Sequence, residues 1–211
     1  QPIAQLLGNA PVLSCPGQVF PVETRYRAPG RTPWLDHLAQ VIRDTVQTES
    51  GSLLVFLPGE GEIRRLMERL EVLPADVVVA PLYGQLSGDE QDRAIAPAPA
   101  GQRKIVLATA IAETSLTIEG IRIVIDAGFP RSPPYDPNSA MTRLVTQRVA
   151  TANAEQRRGR AGRLGPGICI RLWSEDENAR LQAFAEPEIR QADLSGLVLE
   201  LAQWGVRDPA S

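Results

Sequence analysis

The run Gln156-Arg157-Arg158-Gly159-Arg160-Ala161-Gly162-Arg163 is the strongest chemical signal in the chain. Planar guanidinium groups grip phosphate oxygens in a fork and can stabilise charge that develops during phosphoryl transfer. With Asn153 as an N-cap, most of this stretch is expected to be helical. At about 100° per residue, Gln156, Gly159, Arg160 and Arg163 fall at i, i+3, i+4 and i+7 on one face. Arg158 points the opposite way. Two interior glycines would each cost such a helix about 1 kcal/mol relative to alanine, so packing or a ligand must offset them. The competing reading is a solvated face or a set of structural ion pairs. Against it, only Glu155 lies close by in sequence to pair with these arginines. A disordered Arg/Gly tract for RNA is disfavoured by the apolar strand and helix patterns on either side.

The second signal is Ala108-Thr109-Ala110-Ile111-Ala112-Glu113-Thr114-Ser115-Leu116-Thr117-Ile118, directly after an apolar run. Ligands of open α/β sheets gather beyond the carboxyl ends of the strands. Hydroxyls of Thr109, Thr114, Ser115 and Thr117 would suit phosphate oxygens or metal-bound water there. Such loops also serve as ordinary turns and caps, and the loop alone does not choose. Asp89-Glu90-Gln91-Asp92 offers an acidic box, but it follows Ser87 at a helix start. Serine and glutamate three apart read better as a capping box than as a metal site.

Single residue types exclude much else. His37 is the only histidine, so no multi-histidine metal site can exist. Cys15 and Cys169 form no CxxC pair, and two isolated cysteines fit a reducing cytosol. Lys104 is the only lysine beside 21 arginines. It lies between Arg103 and Ile105, not between a glycine-rich turn and Ser or Thr, so the chain has no P-loop. No apolar run approaches the ~18 residues of a membrane span. The 211 residues carry a net charge of −3, unevenly placed. Seven arginines and one acid lie between Arg143 and Arg171, whereas eight acids and three arginines follow from Ser174. That asymmetry predicts a local anion site in an acidic body.

The elements that must position these residues follow from pattern. Residues 1–17, rich in Pro and Gly, read as a linker, and residues 18–27 alternate as a strand. Thr32-Pro33 opens an amphipathic helix running to about Thr48. Short apolar runs at 53–57, 77–79, 105–108, 121–125 and 168–173 alternate with helical stripes. This predicts an α/β fold with a parallel sheet covered on both faces. Residues 128–150 are expected to project as a hairpin or long loop. Asp193 opens a last helix with Leu194, Leu197, Val198, Leu201 and Trp204, an apolar face that needs a partner. The start at Gln1, without an initiator Met, suggests a fragment of a longer chain.

Together, ATAIAETSLTIEGIRIVIDAGF and AEQRRGRAGR resemble motifs V and VI of the DEAH-box helicases of superfamily 2. LLVFLPG, residues 53–59, is similar to motif IV. PLYGQLSGDEQDRAI and APAP are similar to the block that follows it. FPVETRY, RLWSE and ADLSGLVLEL look most like the bacterial HrpB-type branch. The resemblance covers essentially the whole chain. It implies the second of two RecA-like domains, over residues 18–190, with residues 191–211 starting a helical or winged-helix region. ATP and Mg2+ would be bound mainly by the first such domain, which carries the P-loop and DEAH box. Arg160 and Arg163 match the arginine fingers, and Gln156 the residue that places the attacking water. Ser115 matches a position near the magnesium shell, though no residue here is matched to a direct metal ligand. Thr117 and Glu119 match positions near the ribose. Thr109 and the backbone around Gly59 match contacts to nucleic-acid phosphates. Residues 131–149 correspond to the family's β-hairpin.

Two departures stand out. Ala110 replaces an asparagine, and Ile95 stands where many relatives place an aromatic that stacks on the base. The resemblance implies an ATP-dependent helicase acting on single-stranded nucleic acid, RNA before DNA, in the bacterial cytoplasm. A RecA-like module that only binds RNA or protein is the alternative, and a DNA translocase a third. The complete Gln/Arg/Arg face disfavours a pure scaffold.

Overall fold

The computed structural model describes residues 2–13, 20–113, 117–132, 135–136, 141–142, 145–190, 192–206 and 208. In chain order the first half holds α1 (Pro2–Leu6), β1 (Val22–Tyr26), α2 (Trp34–Thr48), β2 (Ser52–Phe56), α3 (Glu60–Arg69), β3 (Val77–Leu82) and α4 (Gly88–Ile95). The second half opens with β4 (Arg103–Ala108) and β5 (Ile121–Asp126), then the short strands β6 (Arg131–Ser132), β7 (Tyr135–Asp136), β8 (Met141–Thr142) and β9 (Val145–Thr146). It closes with α5 (Thr151–Gly159), β10 (Gly167–Arg171), α6 (Glu175–Ala179) and α7 (Ser195–Gln203).

Six strands form one sheet in the order β1–β10–β5–β2–β4–β3, and every pairing is parallel. Successive residues of β2 enter different cores, because side chains alternate across a sheet. Leu53 and Val55 join Leu38, Ile42, Ile63, Leu66, Ile105 and Ile125 beneath α2 and α3. Leu54 and Phe56 join Leu82, Ala94, Val106, Val124, Ala161 and Cys169 on the other face. Both faces are thus covered, which is why the central strands read as unbroken apolar runs. Pro81 is tolerated because β3 is an edge strand.

The helix starts differ in how they are made. Pro33, not Thr32, takes the N-cap position of α2, and its carbonyl accepts from Asp36 and His37 at 3.0 Å each. Ser87 and Glu90 form the expected capping box of α4. The Glu90 carboxylate accepts from the Ser87 N–H at 2.9 Å and its hydroxyl at 2.7 Å, which lowers its pKa. Lys104 finishes the same helix. Its buried ammonium donates to the carbonyls of Arg93 at 2.8 Å, Ala94 at 3.4 Å and Ala96. Burial lowers the pKa of that ammonium.

Within the stretch expected as a hairpin or long loop, β6 pairs antiparallel with β9 and β7 with β8, and residues 133–134, 137–140 and 143–144 lie outside the described residues. Among the described residues no helix is long and apolar enough to cross a membrane. The expected linker includes the one-turn α1. The last helix is α7, where Leu197, Val198 and Leu199 are exposed, with Trp204 just beyond it.

Candidate functional site

The arginine run does not form one continuous helix. Ala150, not Asn153, is the N-cap of α5, and the helix ends at Gly159. Asn153 lies inside it and donates from Nδ2 to Glu113 Oε2 at 3.0 Å. Beyond Gly159 the chain tightens. The N–H groups of Arg160, Ala161 and Gly162 bond to carbonyls three residues back, at 3.0, 3.1 and 3.3 Å. Arg163 therefore reaches the site from a turn, not from position i+7 of a helix.

Packing against the segment that leads into β1 explains the change. The Phe20 N–H donates to the Gly162 carbonyl at 3.0 Å. A Cβ on Gly162 would stand 2.7 Å from the Phe20 carbonyl oxygen and from Val22 Cγ2. Close approach of two backbones is what this glycine provides. At Gly159, the last helical residue, a Cβ would meet nothing within 4 Å. Neither glycine is interior to the helix, so the expected propensity penalty does not arise in that form.

Gln156, Gly159, Arg160 and Arg163 nevertheless converge. With Glu113 and Glu155 they line a cavity of ≈ 390 Å³. Arg160 is buried, and its Nη2 donates to the Glu113 carbonyl. Burial lowers its pKa, the nearby Arg163 charge lowers it further, and Glu113 opposes both. Arg163 is exposed, and its Nη1 donates to Thr117 Oγ1 at 2.7 Å. Two guanidinium groups sharing one cavity repel each other. A bound anion would relieve that repulsion and accept from both forks.

The remaining arginines are paired more fully than their sequence neighbours suggest. Arg157 is 2% exposed and bonds Glu113 Oε1 through Nε at 2.7 Å and Nη2 at 2.5 Å. Its Nη1 bonds Asp126 Oδ1 at 2.7 Å. Burial opposes its charge, but Asp126 and Glu113 overcome this and raise its pKa. Arg158 pairs with Glu155 at 3.0 Å and ties α5 to β1 through Thr24 Oγ1 at 2.9 Å and the Val22 carbonyl at 3.0 Å. Arg171 bonds Glu155 at 2.7 Å, and Arg148 bonds Glu177 at 2.6 Å. The ion-pair reading is therefore correct for these four, with most of the acids supplied from distant segments. Arg160 and Arg163 are the two that line the cavity.

The other expected site residues are dispersed. Gly59 and Thr109 follow β2 and β4, which are adjacent and in register at Phe56 and Ala108, so both stand at the carboxyl edge. Gly59 is the N-cap of α3, and its carbonyl accepts from Ile63 at 3.1 Å. The Thr109 N–H is already committed to the Leu82 carbonyl at 3.1 Å, which leaves its hydroxyl as donor. Thr117 joins the site through Arg163. Glu119 lies exposed in the turn before β5, at the amino edge. Ile95, at the end of α4, is half-buried against the core around Phe56 and Val106. Ser115 lies outside the described residues.

Sequence reasoning missed Glu113, Asp126 and Asn153 as members of the site and Arg157 as its buried anchor. Asp126 left a trace, a lone acid closing the apolar run of β5. No sequence signal joins it to Arg157, 31 residues away. Among the described residues, no group of three or more His, Cys, Asp or Glu side chains is placed to hold a metal ion.

The family described as "Helicase conserved C-terminal domain" matches residues 35–165. The chain belongs to that family. This helicase C-terminal domain is 52% identical to the ATP-dependent RNA helicase HrpB of Escherichia coli, over 99% of the chain and 26% of that protein. It is 39% identical to the human probable ATP-dependent RNA helicase DHX34, over 95% of the chain and 19% of that protein. The crystal structure of E. coli DEAH/RHA helicase HrpB superposes with a TM-score of 0.95, covering 99% of this chain and 27% of that one. A second E. coli crystal structure, of the DExH-box NTPase HrpB, gives 0.91 at 52% identity. The helicase C-terminal domain thus has the RecA-like α/β fold and spans about a quarter or less of these relatives.

Proposed function

We propose that this helicase C-terminal domain completes the nucleotide site of an ATP-dependent RNA helicase. The observation that carries the reading is the convergence of Gln156, Arg160 and Arg163 on one cavity. Two guanidinium groups suit the terminal phosphate of ATP, and stabilise charge that grows on its oxygens as the terminal bond breaks. Gln156 offers an amide that can orient a water beside them. The P-loop, and the residues that hold Mg2+, belong to a first RecA-like domain facing this cavity. Thr117 and Glu119 then approach the ribose and Ile95 the base, while Ser115 stands near the magnesium shell. Thr109 and the Gly59 backbone contact phosphates of single-stranded RNA across the carboxyl edge.

Residues 1–17 lead in from the first domain, residues 18–190 form the helicase domain, and residues 191–211 begin a following helical region. Closure of the two domains over ATP, followed by release after hydrolysis, moves the strand. A module that only binds RNA would need no such arginine pair.

ATP turnover by the full-length parent, with and without single-stranded RNA or DNA, tests this reading. Arg163→Ala is expected to lower RNA-stimulated turnover by about 10³–10⁵-fold, as for other arginine fingers. An unchanged rate would replace the motor with the binding module.

A further inference from the structure

Glu113 makes contacts from both its side chain and its backbone, and they lead to different parts of the site. Its carboxylate is held on one side by Arg157, through Nε at 2.7 Å and Nη2 at 2.5 Å. On the other side Asn153 Nδ2 donates to it at 3.0 Å. Arg157 is in turn fixed from beneath the site by Asp126, whose Oδ1 also accepts from the Gly128 N–H at 2.8 Å. The carboxylate is therefore clamped by α5 and, through Arg157, by the end of β5. The backbone carbonyl of the same residue accepts from Arg160 Nη2. Glu113 also lines the cavity into which Gln156, Arg160 and Arg163 converge.

We propose that Glu113 is the positioning residue for Arg160: its clamped carboxylate fixes the carbonyl that aims the Arg160 guanidinium into the cavity. A long arginine side chain is held in one direction more firmly by a fixed acceptor than by a mobile loop carbonyl. The loop after β4 gains rigidity here from a buried ion pair. A guanidinium preorganised in this way meets the developing charge without rearrangement. The inference deepens the arginine-finger reading and rests on it.

The test is a double-mutant cycle in the full-length helicase, measuring kcat and KM for ATP with saturating single-stranded RNA. Glu113→Gln keeps the shape but weakens the clamp on the loop. It is expected to lower kcat by about 10²-fold, the scale of a 1 Å misplacement, with KM little changed. In an Arg160→Ala background the same substitution is expected to cause no further loss, because the group it positions is gone. Asn153→Ala removes one hydrogen bond from the same carboxylate and is expected to give a smaller loss with the same dependence on Arg160. It decides the matter if Glu113→Gln fails to fold. Losses that add fully to that of Arg160→Ala would overturn the proposal, as would unchanged kcat in a folded Glu113→Gln variant. If Arg160→Ala itself leaves turnover intact, the finger reading falls first and takes the positioning role with it.

Discussion

Replacing Arg157 with methionine removes the cation that joins the buried carboxylates of Glu113 and Asp126. Arg157, Asp126 and Glu113 have side chains only 2%, 1% and 9% exposed, and three of their contacts are 2.5–2.7 Å long. Breaking such a pair by deleting one partner costs about 3–5 kcal/mol, because the remaining charge stays buried without compensation. Against a typical stability of about 5–15 kcal/mol, that is a third or more of the total for many domains. With a urea slope of about 2–3 kcal/mol per molar, the midpoint should fall by roughly 1–2.5 M. Circular dichroism during urea titration reads this directly.

Arg64→Met serves as the control. Arg64 lies 2.5 Å from Glu60 but is 68% exposed, so solvent screens the pair and its loss should leave the midpoint close to wild type. Adding Asp126→Asn to Arg157→Met should recover part of the loss by removing a buried charge. An Arg157→Met midpoint as close to wild type as that of Arg64→Met would refute the buried-network reasoning.

Two further outcomes concern packing and titration. Gly162→Ala should destabilise the domain by about 1–3 kcal/mol through its clash with the Phe20 carbonyl and Val22, read from the same urea midpoints. Cys169 is buried, and burial pushes its thiol up from 9.0 to about 12. It should resist iodoacetamide at pH 8 in the native state and react on unfolding, as followed by peptide mass spectrometry. Between pH 9 and about 12 the unfolded chain gives up this proton while the folded chain keeps it. Its contribution to stability therefore falls as pH rises through that window. A Cys169→Ala variant should show a shallower decline there, and equal slopes would contradict the burial.

The sheet was legible because its strands are buried on both faces. Leu53–Leu57 and Ile105–Ala108 carry no polar alternation, and that composition admits little besides a covered parallel strand. Ser87 and Glu90 were equally legible, since a capping box needs only four consecutive residues. The convergence of Gln156, Arg160 and Arg163 was foreseen for a partly wrong reason. Gln156 lies on α5 and Arg160 is the residue that caps its end, but Arg163 arrives through a turn set by Phe20 and Val22.

Local chemistry is what the sequence by itself determined: the α/β rhythm, the caps, the absence of a P-loop, and the arginine-glycine pattern with its family resemblance. These depend on residue type and short spacing, which the chain carries without folding. Tertiary structure alone decided which arginines are structural and which face the cavity. Arg157 looks the same as Arg160 in the sequence, and the acids that neutralise it lie 31 and 44 residues away. Only closure of the sheet brings Asp126 and Glu113 to it. An ion pair's energy depends on distance and burial in space, and neither is a property of sequence separation.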